Sequence, residues 1–307
     1  MFAVCLNAVL PIFAVVVLGF AFGRGGLFDG PTASVINRFV FYAALPVLLF
    51  RLIATAPFED FEWPLIAAYG CSEVILYAAG FLIARFGFGR SNKESLLLGM
   101  AAGFANHVFF VLPIAQQLYG EEAAVPVVGV ITLDAVILFG GTVLILETMS
   151  DAARGLSPLR LLRLFARNPQ ILGITAGVAA SIFSLPLNGG PDVFTKFLGA
   201  SAAPCSLFAL GVMLAAQTKT TSQGLPWALV ALKLGAMPLV MWLLLTTVFQ
   251  VSPDWSSPAM LVAAGPTGTM PFVLGLQYKA PVDVIATTIF LSTLGSLVTV
   301  TLMSQLA

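Results

Sequence analysis

Glu73, Asp134 and Lys233 each lie deep inside an apolar run of this 307-residue chain, and the only histidine, His107, follows Asn106 in the middle of another. An ionisable side chain is costly in an apolar medium, so such residues are candidates for function by default. Imidazole titrates near neutrality and can carry a proton, and a carboxamide both donates and accepts. Asn106 and His107 sit in an interruption running from Gly103 to Pro113, G-F-A-N-H-V-F-F-V-L-P. A matching interruption, G-P-T-G-T-M-P, runs from Gly265 to Pro271. Proline removes one helical hydrogen bond and sterically blocks another, and an apolar medium tolerates the break only where protein or water satisfies the freed groups. The half-helix that restarts after each break points free N–H groups and a positive dipole end at the interruption. Two such ends, opposed, would hold an anion without any arginine.

The candidate contacts are therefore Asn106, His107, Gln116, Pro266, Thr267, Gly268 and Thr269, with Pro113 and Pro271 as hinges that shape the breaks. Pro46 and Ser206, on two other apolar runs, could close the sides of the site. They serve equally well as a kink and as a backbone-bonded hydroxyl. Glu73, Asp134 and Lys233 are read as coupling groups or, with equal weight, as an ion pair of Lys233 with one of the carboxylates. Arg51 is expected to snorkel to an interface.

Other chemistries find little support. A single histidine and no cysteine pair give no zinc site, and no phosphate loop follows a strand pattern. Ser95, His107 and Asp134 could be assembled on paper into a triad, but no nucleophile elbow accompanies them. No metal, no cofactor and no enzyme activity are expected.

The elements that position these residues follow from composition. The chain is 59% hydrophobic and 9% charged, against about 25% charge in soluble domains; it reads as an all-α, multi-pass membrane protein in a lipid bilayer. Fourteen basic residues balance fourteen acidic ones, which suggests no nucleic-acid partner. Cys5, Cys71 and Cys205 all fall in apolar runs, so no disulfide framework is expected. At about 20 residues per crossing, ten segments are predicted: Ala3–Phe22, Thr32–Ala54, Pro64–Phe86, Glu94–Leu118, Ala123–Thr148, Asn168–Leu185, Asp192–Ala216, Pro226–Gln250, Pro258–Gln277 and Val282–Leu306. Residues 150–167, with Arg154, Arg160, Arg163 and Arg167, form a basic linker between a first five-segment unit (1–149) and a second (168–307).

Basic residues gather in the odd connections and acidic ones in the even, so the odd connections are expected to be cytoplasmic and both termini outside. The two fives also repeat. With Pro46 set on Pro204, Phe39 falls on Phe197, Ala44 on Ala202, Leu49 on Leu207 and Phe50 on Phe208; separately, Tyr119 after the fourth segment matches Tyr278 after the ninth. Five is odd, so the second copy enters from the opposite side, giving an inverted repeat with broken segments four and nine in corresponding places.

The joint order of several motifs resembles the bacterial branch of the auxin efflux carrier family. They are Leu45-Pro46-Val47-Leu48-Leu49-Phe50, Arg167-Asn168-Pro169-Gln170-Ile171-Leu172-Gly173, the run from Pro204 to Leu214, Lys233-Leu234 with Pro238-Leu239, and Pro266 followed by Tyr278. The resemblance covers the whole chain. It implies ten helices in two inverted repeats, crossed broken helices at the site, and secondary transport of small organic anions, malonate-like among bacterial relatives. A proton, or no coupling ion, is favoured over Na⁺, because the crossover has Asn106 and Gln116 but no adjacent acid. The rivals are a sodium-coupled symporter of the bile-acid carrier type and, from another class, a non-transporting sensor or scaffold. A homodimer is the oligomer considered.

The charge asymmetry sets a test. In a cysteine-free variant, a cysteine placed between Asp151 and Ser157 should react with an impermeant thiol reagent only after the cytoplasmic face is opened, and one placed near Glu121 should react from outside. The reverse labelling pattern would refute this orientation.

Overall fold

In the computed structural model, described for residues 2–120, 124–149, 167–216 and 224–306, the chain is helical almost throughout. The linker arginines Arg154, Arg160 and Arg163, and the acidic pair Glu121 and Glu122, lie outside the described residues. The helices are α1 (Phe2–Arg24), α2 (Gly30–Ala54), α3 (Trp63–Gly87), α4 (Asn92–Gly103), α5 (107–119), α6 (Val125–Thr148), α7 (Pro169–Ile182), α8 (Gly189–Ala216), α9 (Gly224–Val248), α10 (Pro253–Ala264), α11 (Met270–Gln277) and α12 (Asp283–Leu306). Among the described residues six of these, α2, α3, α6, α8, α9 and α12, are long and apolar enough to cross a membrane individually. The predicted fourth and ninth segments are each divided, into α4 with α5 and α10 with α11.

Local chemistry explains where helices start. Asp29 accepts from the Thr32 amide at 2.9 Å to cap α2, and the two Thr32 hydrogen bonds hold its carboxyl below the usual range. Ser91 accepts from the Glu94 amide at 3.2 Å at the head of α4. That is the capping-box spacing. Asn168 caps α7 through the Gln170 amide at 3.0 Å. Prolines 31, 64, 169, 253 and 271 occupy first-turn positions, where their missing N–H costs nothing.

Three π-helical segments, Val40–Ala44, His107–Val111 and Leu232–Ala236, each end two residues before a proline: Pro46, Pro113 and Pro238. The wider turn absorbs the bond the proline cannot make. In α2 the register leaves the Phe41 carbonyl without its donor, and the Gln170 side chain of α7 donates to it.

Among the closest helix pairs are α1 on α8 and α7 on α2. Both use glycines four apart. A Cβ at Gly19 would stand 2.2 Å from the Phe208 carbonyl oxygen, and one at Gly173 would stand 2.4 Å from that of Pro46. Gly23 and Gly177 continue the two contacts. Small residues at this spacing let backbones approach closely, which is how helices gain packing where lipid offers no hydrophobic drive. Arg51 binds Asp192 Oδ1 at 2.5 Å and Thr195 Oγ1 at 3.2 Å, tying α2 to α8. On the other side, the Tyr278 hydroxyl donates to Glu147 at 2.7 Å and receives the Asn168 amide at 3.3 Å, so the end of α11 meets the ends of α6 and α7.

The two interruptions lie against each other. Ala105 and Thr267 form an antiparallel bridge; the Asn106 amide donates to the Pro266 carbonyl at 2.9 Å and the Gly268 amide to the Phe104 carbonyl at 3.0 Å. A Cβ on Gly268 would meet the Ala105 carbonyl oxygen and the Phe104 ring, both at 2.8 Å. Gly268→Ala should therefore destabilise the protein by about 1–3 kcal/mol through overpacking. Gly141→Ala, where nothing lies within 4 Å, should be neutral or stabilise by about 0.5–1 kcal/mol. Thermal unfolding in detergent distinguishes the two, and equal midpoints would show that the crossing has slack.

Candidate functional site

The crossing leaves four helix ends facing one another, and their backbone groups are accounted for from several directions. At the closing end of α4, the Ala101 carbonyl accepts from Thr267 Oγ1 at 2.9 Å. At the closing end of α10, the Ala263 carbonyl accepts from Lys233 Nζ at 3.4 Å and the Ala264 carbonyl from Thr299 Oγ1 at 2.8 Å. The Thr267 amide donates to Ser292 Oγ at 3.1 Å. Each bond relieves a carbonyl or amide that an unbroken helix would have satisfied internally. A lysine at a helix C-terminus also complements the negative dipole end.

The opening ends of α5 and α11 are different. They border a cavity of about 50 Å³ lined by Phe104, Ala105, Asn106, His107, Gly268, Thr269 and Met270 from the crossing. Its other walls are Leu45, Leu48, Leu49 and Leu52 of α2 and Ile131, Ala135 and Phe139 of α6. Asn106 also borders a smaller space of about 10 Å³ towards α1, α8 and α12. Its carboxamide is hydrogen-bonded to no described residue while its side chain is 9% exposed. One face of the cavity thus carries the polar groups and two positive helix ends, and the opposite wall is aliphatic and aromatic.

The acids come to the crossing through the fold. The ring nitrogen Nε2 of His107 meets Asp134 Oδ2, and the Tyr69 hydroxyl lies 3.3 Å from that same nitrogen and 3.3 Å from Glu73 Oε1. Donor atoms of Glu73, His107 and Asp134 all fall within 4.8 Å of one another. All are buried: Tyr69 and Lys233 0% exposed, Asp134 1%, Glu73 2% and His107 3%. The expectation that no acid adjoins the broken segment is corrected here: adjacency along the chain is absent, but α3 and α6 deliver one carboxylate each. Lys233 also departs from the expected ion pair. Among the described residues it forms no short salt bridge, and its ammonium sits on the Ala263 carbonyl while acting on both carboxylates over a longer range.

The remaining candidates are distributed. Gly268 and Thr269 line the cavity; Thr267 is fully buried and serves the crossing itself, and the Pro266 carbonyl receives Asn106. Ser206 Oγ donates to the Ala203 carbonyl at 2.9 Å and reaches Thr269 Oγ1 at 3.3 Å, so it supports the wall from behind. Pro46 packs its backbone on Gly173 rather than facing the cavity, and Gln116 lies further along α5, outside the lining. Pro271 begins α11; the side chain of Pro113 lies outside the described residues. Sequence reasoning missed Tyr69, whose signal was its position one helical turn before Glu73, and the aliphatic wall.

Comparison with known proteins gives a consistent result. A family model described as "Membrane transport protein" matches residues 4–158 and 156–304. A Rhizobium meliloti (strain 1021) protein described as "Putative malonate transporter" is 32% identical over 95% of this chain and 92% of its own length. An uncharacterized transporter of Methanothermobacter thermautotrophicus is 24% identical over 97% of both chains. Auxin efflux carrier component 2 of Arabidopsis thaliana is 25% identical over 51% of this chain, which spans 26% of that protein.

Removing the ammonium leaves two buried carboxylates and one imidazole without their cation. Lys233→Met should lower stability by several kcal/mol, and Lys233→Met with Glu73→Gln or Asp134→Asn should recover part of the loss. Folded yield and unfolding midpoint after size exclusion check this. A single variant as stable as the parent would remove Lys233 from the network.

Proposed function

The chain belongs to the membrane transport protein family of the auxin efflux carriers, and on that premise we propose that it is a secondary carrier of small organic anions, working by alternating access with proton coupling. The observation that carries this reading is the carboxamide of Asn106, hydrogen-bonded to no described residue, beside the opening ends of α5 and α11. An anion placed there receives amide hydrogen bonds and two positive dipole ends, with no fixed cation to trap it. Binding can then stay weak enough for release.

The cavity suggests the shape of the cargo. Polar groups occupy one side only, so a carboxylate head on Asn106, His107 and Thr269 would turn a short apolar body towards Leu45, Leu48 and Leu49. A dicarboxylate such as malonate would need its second carboxylate protonated or hydrated. About 50 Å³ is comparable with a few water molecules, so admission of a carboxylate requires the walls to part. That requirement agrees with rocking of one helix group against another.

The reciprocal packing of α1 on α8 and α7 on α2, each through glycines four apart, supports two inverted repeats of five crossings. These pairs are suited to be the framework against which the crossing moves. A bacterial inner membrane is the location that goes with the bacterial relative, and the charge placement supports periplasmic termini.

The proton role rests on charge. Glu73 and Asp134 ionised, with Lys233 protonated, leave a net −1 in a buried cluster; one proton brings it to zero. Anion entry adds a further negative charge and favours proton uptake with it. Neutral cargo movement would then need no metal ion.

In proteoliposomes, labelled malonate, lactate and acetate should be screened with pH and Na⁺ gradients imposed separately; a pH gradient should drive uptake and a Na⁺ gradient should not. Asn106→Ala should weaken binding by about 1–3 kcal/mol, the loss of a hydrogen bond to a charged group, while the unfolding midpoint holds. Parental affinity in a folded Asn106→Ala protein would place the site elsewhere.

A further inference from the structure

Tyr69 has no role in the reading above, yet its hydroxyl touches both Glu73 and the ring that meets Asp134, alongside the direct interaction of the two carboxylates. It projects from α3 one turn before Glu73, is 0% exposed, and places one hydroxyl between Glu73 Oε1 and His107 Nε2, 3.3 Å from each. Nε2 in turn meets Asp134 Oδ2. Four residues from three separate elements therefore make a continuous path, from Glu73 and Tyr69 on α3, through His107 at the crossing, to Asp134 on α6. We propose that Tyr69 is the positioning residue of a proton relay that lets Glu73 and Asp134 share one proton by way of Nε2 of His107. The proposal rests on the proton-coupled reading and names the groups that would carry it.

The step balances. A proton on Glu73 Oε1 passes to the Tyr69 oxygen while the hydroxyl proton passes to His107 Nε2; Nδ1 keeps its own proton throughout. The transient imidazolium then gives its Nε2 proton to Asp134 Oδ2. Glu73 ends as carboxylate and Asp134 as carboxylic acid, phenol and imidazole are neutral again, and the reverse sequence restores the start. The phenol never has to carry a charge, because it gives and receives in one exchange.

The groups facing this path are Glu73 on the same helix, His107 from the crossing, Asp134 from α6 and Lys233 from α9. Lys233 is the only fixed cation among them. The position of the shared proton therefore decides which carboxylate remains ionised in the field of the ammonium. His107 also lines the cavity, so an anion arriving beside the ring stabilises the imidazolium and draws the proton towards the crossing. A purely structural tyrosine would fill the same space and anchor the same neighbours without this link between charge and cargo.

The decisive variant is Tyr69→Phe, which keeps the ring and removes only the hydroxyl. Uptake of labelled malonate, lactate and acetate is measured with and without an imposed pH gradient, and binding of the transported probe is measured separately at fixed pH. The expected result is a parental unfolding midpoint, binding within about twofold of the parent, and a gradient-driven rate lower by about 10²-fold, the lower end of what a positioned proton donor contributes. Should Tyr69→Phe fail to fold, 3-fluorotyrosine at position 69 keeps the hydroxyl and makes it more acidic; the pH midpoint of uptake should shift, as it would not for a packing residue. A folded Tyr69→Phe carrier with the parental gradient response, or a fluorotyrosine carrier with an unmoved pH profile, overturns the relay and leaves the carrier reading standing. A parent protein whose transport ignores the pH gradient overturns both.

Discussion

Everything in this molecule depends on what happens to the backbone where two helices stop inside an apolar environment. Between Gly103 and His107, and between Ala264 and Met270, the chain cannot make its helical hydrogen bonds, and lipid supplies none. The two interruptions answer each other: two main-chain hydrogen bonds and one antiparallel bridge join them. Glycine at 268 permits the approach. Lys233, Thr267, Ser292 and Thr299 complete the set from outside the pair. Neither break could persist without the other, which makes the crossing a single unit although its halves are about 160 residues apart.

That solution has an electrostatic consequence. The closing ends of α4 and α10 have their carbonyls capped by hydroxyls and an ammonium, while the opening ends of α5 and α11 border a cavity. Positive potential is therefore left on the cavity side. The ammonium that caps α10 is also the cation facing Glu73 and Asp134, so the repair of the backbone and the balance of buried charge share one residue. Moving the crossing relative to α3 and α6 would change both at once. This gives a physical route by which occupancy of the cavity and protonation of the carboxylates can be linked.

The framework around the crossing is built from a different resource. Glycines 19 and 23 let α1 lie on α8, and glycines 173 and 177 let α7 lie on α2. The Arg51–Asp192 pair and the Gln170 bond to the Phe41 carbonyl lock these pairs further. Contacts of this closeness resist sliding, because any shift drives backbone into backbone. The walls of the cavity that carry leucine, by contrast, meet the crossing through side chains. Rigid helix pairs and a softer seam are the arrangement that the proposed rocking would use.

Much of this was legible in the sequence, because composition and local chemistry act over short stretches. An apolar chain with 9% charge can only be a membrane protein, and the caps at Asp29, Ser91 and Asn168 are local rules obeyed locally. The two interruptions announced themselves by placing Gly, Pro, Asn and His where a plain helix would not. Tertiary structure decided the rest. Whether Thr267 faces cargo or the Ala101 carbonyl depends on the rotation of a strand-like segment about an axis set by its distant partner. That Lys233 would cap a helix end, while His107 rather than Lys233 met Asp134, depended on which of several buried groups lay nearest in space. Sequence spacing determines which residues share a helix face, but the distances between faces are set by packing, and buried charge interactions depend on those distances most steeply.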